Sequence, residues 1–123
     1  MMYLGIDYGE KRIGLAKADS RLKIATPFKT IANGPGVLNE LADIVKTEVI
    51  EKIIVGVPVS FNGQKNDFAE RVTEFAEDVE ARTGIPVETV SEIFSSKMAA
   101  ENSEKIDESS AALILQTYLD RIH

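Results

Sequence analysis

The sequence predicts an α/β fold: a mixed five-stranded sheet that opens as an antiparallel meander, continues with parallel strands and carries helices on both faces. Three observations predict it. The first thirty-odd residues hold three successive strand-like segments separated by turns too short for a helical crossover. From residue 37 onward, strand-like and helix-like segments alternate, the pattern of right-handed crossovers between parallel strands. The run Ile53-Ile54-Val55-Gly56-Val57 is apolar without alternation, as expected of a strand covered on both faces.

The elements follow in order. Residues 2–8 form a strand built on Tyr3, Leu4 and Ile6, ended by the turn Tyr8-Gly9-Glu10-Lys11. Residues 12–18 form a second strand with Ile13, Leu15 and Ala16. A third runs from Ile24 to Ile31, and Pro27 marks it as an edge strand, because proline cannot donate to a ladder on both sides. Asn33-Gly34-Pro35-Gly36 is a loop. Leu38, Leu41, Ile44, Val45 and Val49 have helical spacing, which predicts a helix over residues 37–48. Lys52 to Val57 is the central strand, and Pro58 to Gln64 the loop that leaves it. A long helix spans residues 66–83 on a stripe of Phe68, Val72, Phe75, Ala76 and Val79; Gly84 suits its C′ position and Pro86 stops it. Val87 to Val90 is a short strand. Ser95 to Glu101 is a short helix, and Asp107 to Ile122 a longer one on Ala111, Leu115, Tyr118, Leu119 and Ile122. The 123 residues suit one domain, 1–123, with no repeat or linker.

Composition narrows the chemistry. There is no Cys, which excludes a thiol nucleophile, a disulfide framework and a Cys-based zinc site, and the one His is His123, which removes histidine general-base mechanisms. No apolar run reaches the ~18 residues of a membrane span. The N-terminus has no basic region followed by an apolar stretch, so a signal peptide is not expected and the cytoplasm is the expected location. The formal net charge of −6 argues against a nonspecific nucleic-acid coat. The charge is uneven, however: residues 1–30 hold six basic and three acidic residues, and the remainder eight and seventeen. A local basic patch or a bound divalent cation still allows such a chain to meet phosphates.

Without His or Cys, the reactive constellation to look for is carboxylates holding a hard cation, for which Mg²⁺ and Mn²⁺ favour oxygen ligands. Asp7 ends an apolar strand, unlike an acid on a helix surface; an Asp there also organises tight turns. Glu92 stands after the strand Val87–Val90, where an acid also favours a following helix N-terminus. Asp107 opens an apolar-periodic helix, a position where Asp also serves as N-cap. Glu101, Glu104 and Glu108 compete with it. The row Glu70, Glu74, Glu77, Asp78 and Glu80 reads as a solvated helix face. Lys11 and Arg12, beside Asp7, are candidates to neutralise phosphate, as is the loop after the central strand with Asn62-Gly63.

The stretch Gly5-Ile6-Asp7-Tyr8-Gly9-Glu10-Lys11-Arg12-Ile13-Gly14-Leu15-Ala16 resembles the opening motif of the YqgF/RuvX family, pre-ribosomal-RNA nucleases also described as Holliday junction resolvases. Ile54-Val55-Gly56-Val57-Pro58 and Asn62-Gly63 resemble its second motif, Phe75-Ala76 and Thr83-Gly84-Ile85-Pro86-Val87 its middle, and Lys105-Ile106-Asp107 through Leu119 its last helix. The resemblance covers essentially the whole chain in order. It implies a ribonuclease H-like fold and three acidic site positions, which carry over to Asp7, Glu92 and Asp107. Two departures stand out. The family's Asp-Glu-Arg motif is Ser91-Glu92-Ile93 here, and the segment between Met98 and Asp107 is shorter than usual.

The expectation is therefore a metal-dependent phosphodiesterase. Asp7, Glu92 and Asp107 are expected to be catalytic and to ligate Mg²⁺ or Mn²⁺, with two ions, while Lys11, Arg12 and Asn62 contact substrate phosphate. The resemblance implies a structured RNA precursor, the 5′ end of pre-16S rRNA, as partner. Branched DNA, a four-way junction, is the alternative; symmetric incision of it calls for a homodimer. Two other classes compete. One is a non-catalytic nucleic-acid-binding factor of the same fold, which the altered surroundings of Glu92 favour. The other is an actin-like ATPase module, whose second domain 123 residues do not supply. No membrane partner is expected.

Overall fold

The structure is a computed structural model that describes residues 1–59, 67–93 and 107–122. Its elements are β1 (Met2–Tyr8), β2 (Arg12–Asp19), β3 (Thr26–Ala32), α1 (Val37–Thr47), β4 (Ile50–Val59), α2 (Asp67–Thr83), β5 (Val87–Ile93) and α3 (Asp107–Ile122). The five strands form one sheet in the order β3-β2-β1-β4-β5. β1–β2 and β2–β3 pair antiparallel, β1–β4 and β4–β5 parallel. The mixed sheet and the opening meander are as the sequence predicts, and β3 with Pro27 is an edge strand.

Strand alternation sorts the side chains onto two faces. Leu4 and Ile6 of β1, Ile13 and Leu15 of β2, and Ile53, Val55 and Val57 of β4 are buried together under α1 and α2. α1 contributes Val37, Leu41, Ile44 and Val45, and α2 contributes Ala69, Val72, Phe75, Ala76 and Val79. Complete burial of each large aliphatic here is worth about 1.5–3 kcal/mol, so this face supplies much of the stability. The opposite face carries Tyr3, Ala16, Ala18, Ile54 and Val90 under α3, which presents Ala111, Ile114, Leu115, Tyr118 and Leu119.

Several boundaries differ from the sequence reading, each for a physical reason. β3 begins at Thr26, and Ile24, counted as its first residue from sequence, is an exposed residue of the preceding loop. α1 ends at Thr47, and Val49, read as part of its apolar stripe, is exposed with a φ of 55°. β4 runs from Ile50 to Val59, through Pro58. Proline is tolerated there because the β1 ladder ends at Ile6↔Val55, so no β1 partner is present to miss its N–H. β5 extends to Ile93 because β4 continues alongside it, with Pro58↔Glu92 and Val59↔Ile93 in register. α2 begins at Asp67 and is followed by Gly84 at φ 72°, the left-handed C′ geometry expected of that glycine. The short helix expected over Ser95–Glu101, the loop with Asn62-Gly63, and His123 lie outside the described residues.

Candidate active site

α3 is held close to the sheet by glycines. A Cβ on Gly5 would lie 2.8 Å from the Leu115 Cβ and 3.0 Å from the Ala111 carbonyl oxygen. A Cβ on Gly56 would lie 2.5 Å from the Ile114 Cδ1. Farther along, Tyr118 meets Tyr3 edge-to-face with ring centroids 5.9 Å apart, and its hydroxyl is 2.7 Å from the Lys52 Nζ. Ala111 lies over Gly5 and Tyr118 over Tyr3, so α3 runs antiparallel to β1. Its N-terminus therefore lies toward the end of β1 where Asp7 stands.

Asp7 is the penultimate residue of β1, half-buried and in register with Gly14 of β2. Alternation puts it on the same face as Tyr3 and Gly5, the α3 face. The turn after it is closely specified. A Cβ on Gly9 would lie 2.5 Å from the Arg12 carbonyl oxygen, so only glycine fits. The Asn33 side-chain amide donates to the Gly9 carbonyl at 2.8 Å, and the Asn33 backbone N–H donates to the Lys11 carbonyl at 2.9 Å. Arg71 of α2 pairs with Glu10 at 2.9 Å. Tyr8, pointing to the opposite face, packs against Phe75 and Phe68 with centroids 4.7 and 6.0 Å away. The Asp7 strand end is thus anchored from the α2 side while its carboxylate faces the α3 side.

The other acidic positions are located by their backbones. Glu92 is the penultimate residue of β5, not a residue after the strand as the sequence suggested. It is in register with Pro58 and shares strand parity with Val90, which packs under α3, so its backbone position belongs to the same face as Asp7. Asp107 is the first residue of α3, one turn before Ala111. One helical turn is about 5.4 Å and two strand residues about 6.6 Å, so stepping from Ala111 to Asp107 advances about as far as stepping from Gly5 to Asp7. β1, β4 and β5 are parallel, and the three acidic positions fall at the C-terminal ends of these strands and at the helix end that overlies them.

Two of the three expected phosphate-contacting residues are described. Lys11 lies in the bend after β1, and Arg12 opens β2 with the strand parity of Gly14 and Ala16, which puts it on the α3 face; both side chains are exposed. Asn62 lies outside the described residues. Sequence reasoning missed Asn33 as the brace of the Asp7 turn, since a loop asparagine carries no signal of its partner twenty-four positions away. It also missed the group Lys52, Tyr118 and Glu88 on the α3 face. Lys52 lies 3.0 Å from Glu88, and its hydrogen bonds to Tyr118 and then Glu88 raise its pKa above the usual lysine value. The sequence signal was weak, since Lys52 stands beside Glu51 before the apolar run of β4 and reads as the polar start of that strand.

Among the described residues no helix is long and apolar enough to cross a membrane. A family model described as "RuvX: Holliday junction resolvase" matches residues 1–121. A protein of Sulfurihydrogenibium sp. (strain YO3AOP1) named "Putative pre-16S rRNA nuclease" is 37% identical over 130 residues, covering 97% of this chain and 90% of its own. A protein of the same name from Syntrophus aciditrophicus (strain SB) is 36% identical over 138 residues, covering 99% and 90%. Among solved structures, Thermus thermophilus RuvC has a TM-score of 0.61 at 15% identity, covering 99% of this chain and 96% of its own. The fowlpox virus Holliday junction resolvase has a TM-score of 0.61 at 12% identity, covering 98% and 99%. These two likenesses concern the fold, which is the ribonuclease H-like arrangement expected from sequence. With the strand order and a match over nearly every residue in agreement, the chain belongs to the YqgF/RuvX family.

Proposed function

We propose that the protein is a cytoplasmic, divalent-metal-dependent nuclease that hydrolyses phosphodiester bonds in maturing the 5′ end of pre-16S rRNA. The near full-length identity to relatives named as pre-16S rRNA nucleases carries this reading. The site chemistry supports it. Asp7, Glu92 and Asp107 are a hard, all-oxygen donor set of the kind that suits Mg²⁺ or Mn²⁺, and Asp7 is half-buried, where a carboxylate gains from a partner of opposite charge. These three residues would hold two ions, which when bound supply Lewis acidity at the scissile phosphate. Asp7, on the central strand, orients the cluster because the Gly9 turn and Asn33 fix its strand end. Lys11 and Arg12 bind non-bridging phosphate oxygens and stabilise charge that builds there during displacement, with Asn62 as a further phosphate contact. Incoming RNA enters on the α3 face at the end of β1 that carries Asp7, where the exposed Lys11 and Arg12 offset the acidic remainder of the chain.

A second reading, cleavage of a four-way DNA junction, is favoured by the description of the family model. It shares the chemistry and requires a homodimer, because two symmetric incisions are needed. The test is a cleavage assay with Mn²⁺ or Mg²⁺ on a pre-16S rRNA fragment and a four-way junction in parallel, with Asp7→Asn as control. Cleavage of the RNA that falls by at least ~100-fold in Asp7→Asn is the expected result. Cleavage of the junction alone by a dimer selects the second reading. Binding of either substrate without cleavage overturns both in favour of a non-catalytic binding factor.

A further inference from the structure

The two edges of the sheet are built differently. β3 is closed to further pairing. Pro27 removes a donor, Lys29 places a charge on the strand, and the register shifts between Leu15 and Ala16. β5, Val87–Ile93, carries no proline, no lysine and no register shift.

The phase of the β4–β5 ladder shows which backbone groups β5 turns outward. The Ile53 N–H donates to the Pro86 carbonyl at 3.0 Å, and Ile53 is in register with Val87. In a parallel ladder this phase directs the N–H and C=O of Glu88 and Val90 toward β4 and those of Val87, Thr89 and Ser91 away from the sheet. The Val87 N–H is taken by the Glu80 carboxylate at 2.7 Å. Among the described residues nothing hydrogen-bonds the outward backbone groups of Thr89 or Ser91, and both residues are exposed. Glu80 therefore ends the open stretch of edge, and Thr89 and Ser91 form it.

Beside this edge, α2 and β5 enclose a groove of about 110 Å³ lined by Thr73, Ala76, Glu77, Glu80, Val87 and Thr89. Its charged members are both acidic. The two basic residues of α2 are engaged elsewhere, Arg71 with Glu10 and Arg82 with Asn39. Among the described residues no cation stands within ion-pair distance of Glu74, Glu77 or Asp78.

We propose that the outer edge of β5 is a docking site for an extended, lysine- or arginine-rich segment of a partner protein. The segment adds a strand through the backbone groups of Thr89 and Ser91 and sets a cationic side chain in the groove between Glu77 and Glu80. Alternation makes the two contacts compatible: the partner residue beside Thr89 projects to the same side of the sheet as the Thr89 side chain, which lines the groove. The net charge of −6 steers a basic segment toward the chain. The proposal does not depend on the nuclease reading, and the site lies on the α2 side of the sheet, away from the face that carries Asp7.

The test uses the full chain, isotopically labelled, titrated with an acetylated peptide of alternating lysine and valine about eight residues long. Control peptides are its glutamate–valine counterpart and a version N-methylated at alternate backbone nitrogens. The expected result is saturable binding of the lysine peptide, with the Thr89 and Ser91 amides shifting and gaining protection from hydrogen exchange. Glu77→Lys and backbone N-methylation of the peptide should each weaken binding by at least ~10-fold. The Glu77 side chain is exposed, so Glu77→Lys should melt with the parent chain. Equal binding of the N-methylated peptide would reduce the contact to charge alone and overturn strand addition. Protection of the Thr89 and Ser91 amides in the free, dilute chain would show the edge already covered. Protection that grows with protein concentration and without peptide would replace the basic partner with a second copy. Each of these three outcomes overturns the proposal.

Discussion

The two faces of the sheet are packed on opposite plans. Under α1 and α2 the strands offer Leu4, Ile6, Ile13, Leu15, Ile53, Val55 and Val57, large side chains that hold the helices off by their own bulk. Under α3 the strands offer Gly5, Gly56, Ala16 and Ala18 among the larger Tyr3, Ile54 and Val90, and at Gly5 the helix approaches the strand backbone itself. A thick aliphatic layer tolerates small displacements, because side chains repack. A backbone-to-backbone contact does not, because neither surface has side-chain freedom to absorb a shift. The lesson is a division of labour: one face carries stability, and the other fixes where the N-terminus of α3 lies relative to Asp7.

The largest effects should come from a matched pair of substitutions, one on each face. Ile53→Ala empties a fully buried site under α1 and α2 and should cost about 2–5 kcal/mol. Its nuclease activity, corrected for the folded fraction, should stay near the parent value. Gly5→Ala introduces a Cβ 2.8 Å from the Leu115 Cβ and 3.0 Å from the Ala111 carbonyl oxygen, both fixed to the helix backbone. It should cost about 1–3 kcal/mol and also depress activity per folded molecule, because α3 must move. Urea unfolding and cleavage rates on the same samples separate the two quantities. If Gly5→Ala lost activity only in proportion to its unfolded fraction, the positioning role of the α3 face would be wrong.

Gly56 sharpens the same contrast. Its added Cβ would meet Ile114 at Cδ1, Cγ1 and Cγ2, at 2.5, 2.8 and 3.3 Å, all side-chain atoms. Gly56→Ala should therefore cost less than Gly5→Ala, about 1–2 kcal/mol. The clash is removable, since Ile114→Ala deletes all three atoms. The double variant should be more stable than the sum of the singles by about 1 kcal/mol, measured as a double-mutant cycle in urea. Additive costs would mean that the helix backbone, and not the Ile114 side chain, sets the limit at Gly56.

The aliphatic face was legible from sequence because its signal is local. The continuous run Ile53–Val57 and the stripe Val72, Phe75, Ala76 and Val79 announce burial by spacing alone. The α3 face was less so. A glycine in a strand does not say which helix crosses it, and the role of Gly5 and Gly56 appears only once Leu115 and Ile114 lie above them. Asp7 was legible because a carboxylate interrupting a strand end is unusual. Glu92 was placed at a strand end, as it is, but β5 was ended three residues early, because Ser91 and Glu92 are polar and the strand is carried on to Ile93 by its neighbour β4. Likewise Ile24 and Val49 are apolar residues that turned out exposed, and spacing alone counted them into elements they do not belong to.

A polar group tests whether the far end of the α3 face is held as firmly as the glycine end. Lys52 hydrogen-bonds Tyr118 and pairs with Glu88, and both raise its pKa above the ordinary 10.5. A folded-state pKa above the unfolded one gives a contribution fully present below the unfolded value and lost as pH rises through the folded value. Stability should therefore decline as pH climbs past 10.5, and Lys52→Met should flatten that decline. At neutral pH the same substitution should cost about 1 kcal/mol, since the Tyr118 hydroxyl loses its partner. Urea midpoints of both proteins between neutral and alkaline pH check the sign; an equal alkaline decline in Lys52→Met would remove the network from the account of α3 anchoring.

The smallest expected effect is a gain, and it comes from the aliphatic side. α1 and α2 end differently: α2 is followed by Gly84 at φ 72°, and α1 passes through its Glu48 cap to Val49 at φ 55°. Both positions are left-handed, but a β-branched residue adopts that conformation at a cost of about 1–2 kcal/mol, whereas glycine does so freely. The Val49 side chain is 67% exposed, so removing it forfeits little burial. Glycine also makes the unfolded chain more flexible, which offsets part of the relief. Val49→Gly should therefore stabilise by about 0.5–1 kcal/mol and raise the melting temperature by a few degrees, with cleavage activity unchanged. Gly84→Val, the reverse exchange at α2, should destabilise by about 1–2 kcal/mol, because no side-chain contact exists there to compensate the strain. Opposite signs in the two melting curves would show that the two helices of this face stop by the same left-handed geometry and differ only in the residue that occupies it.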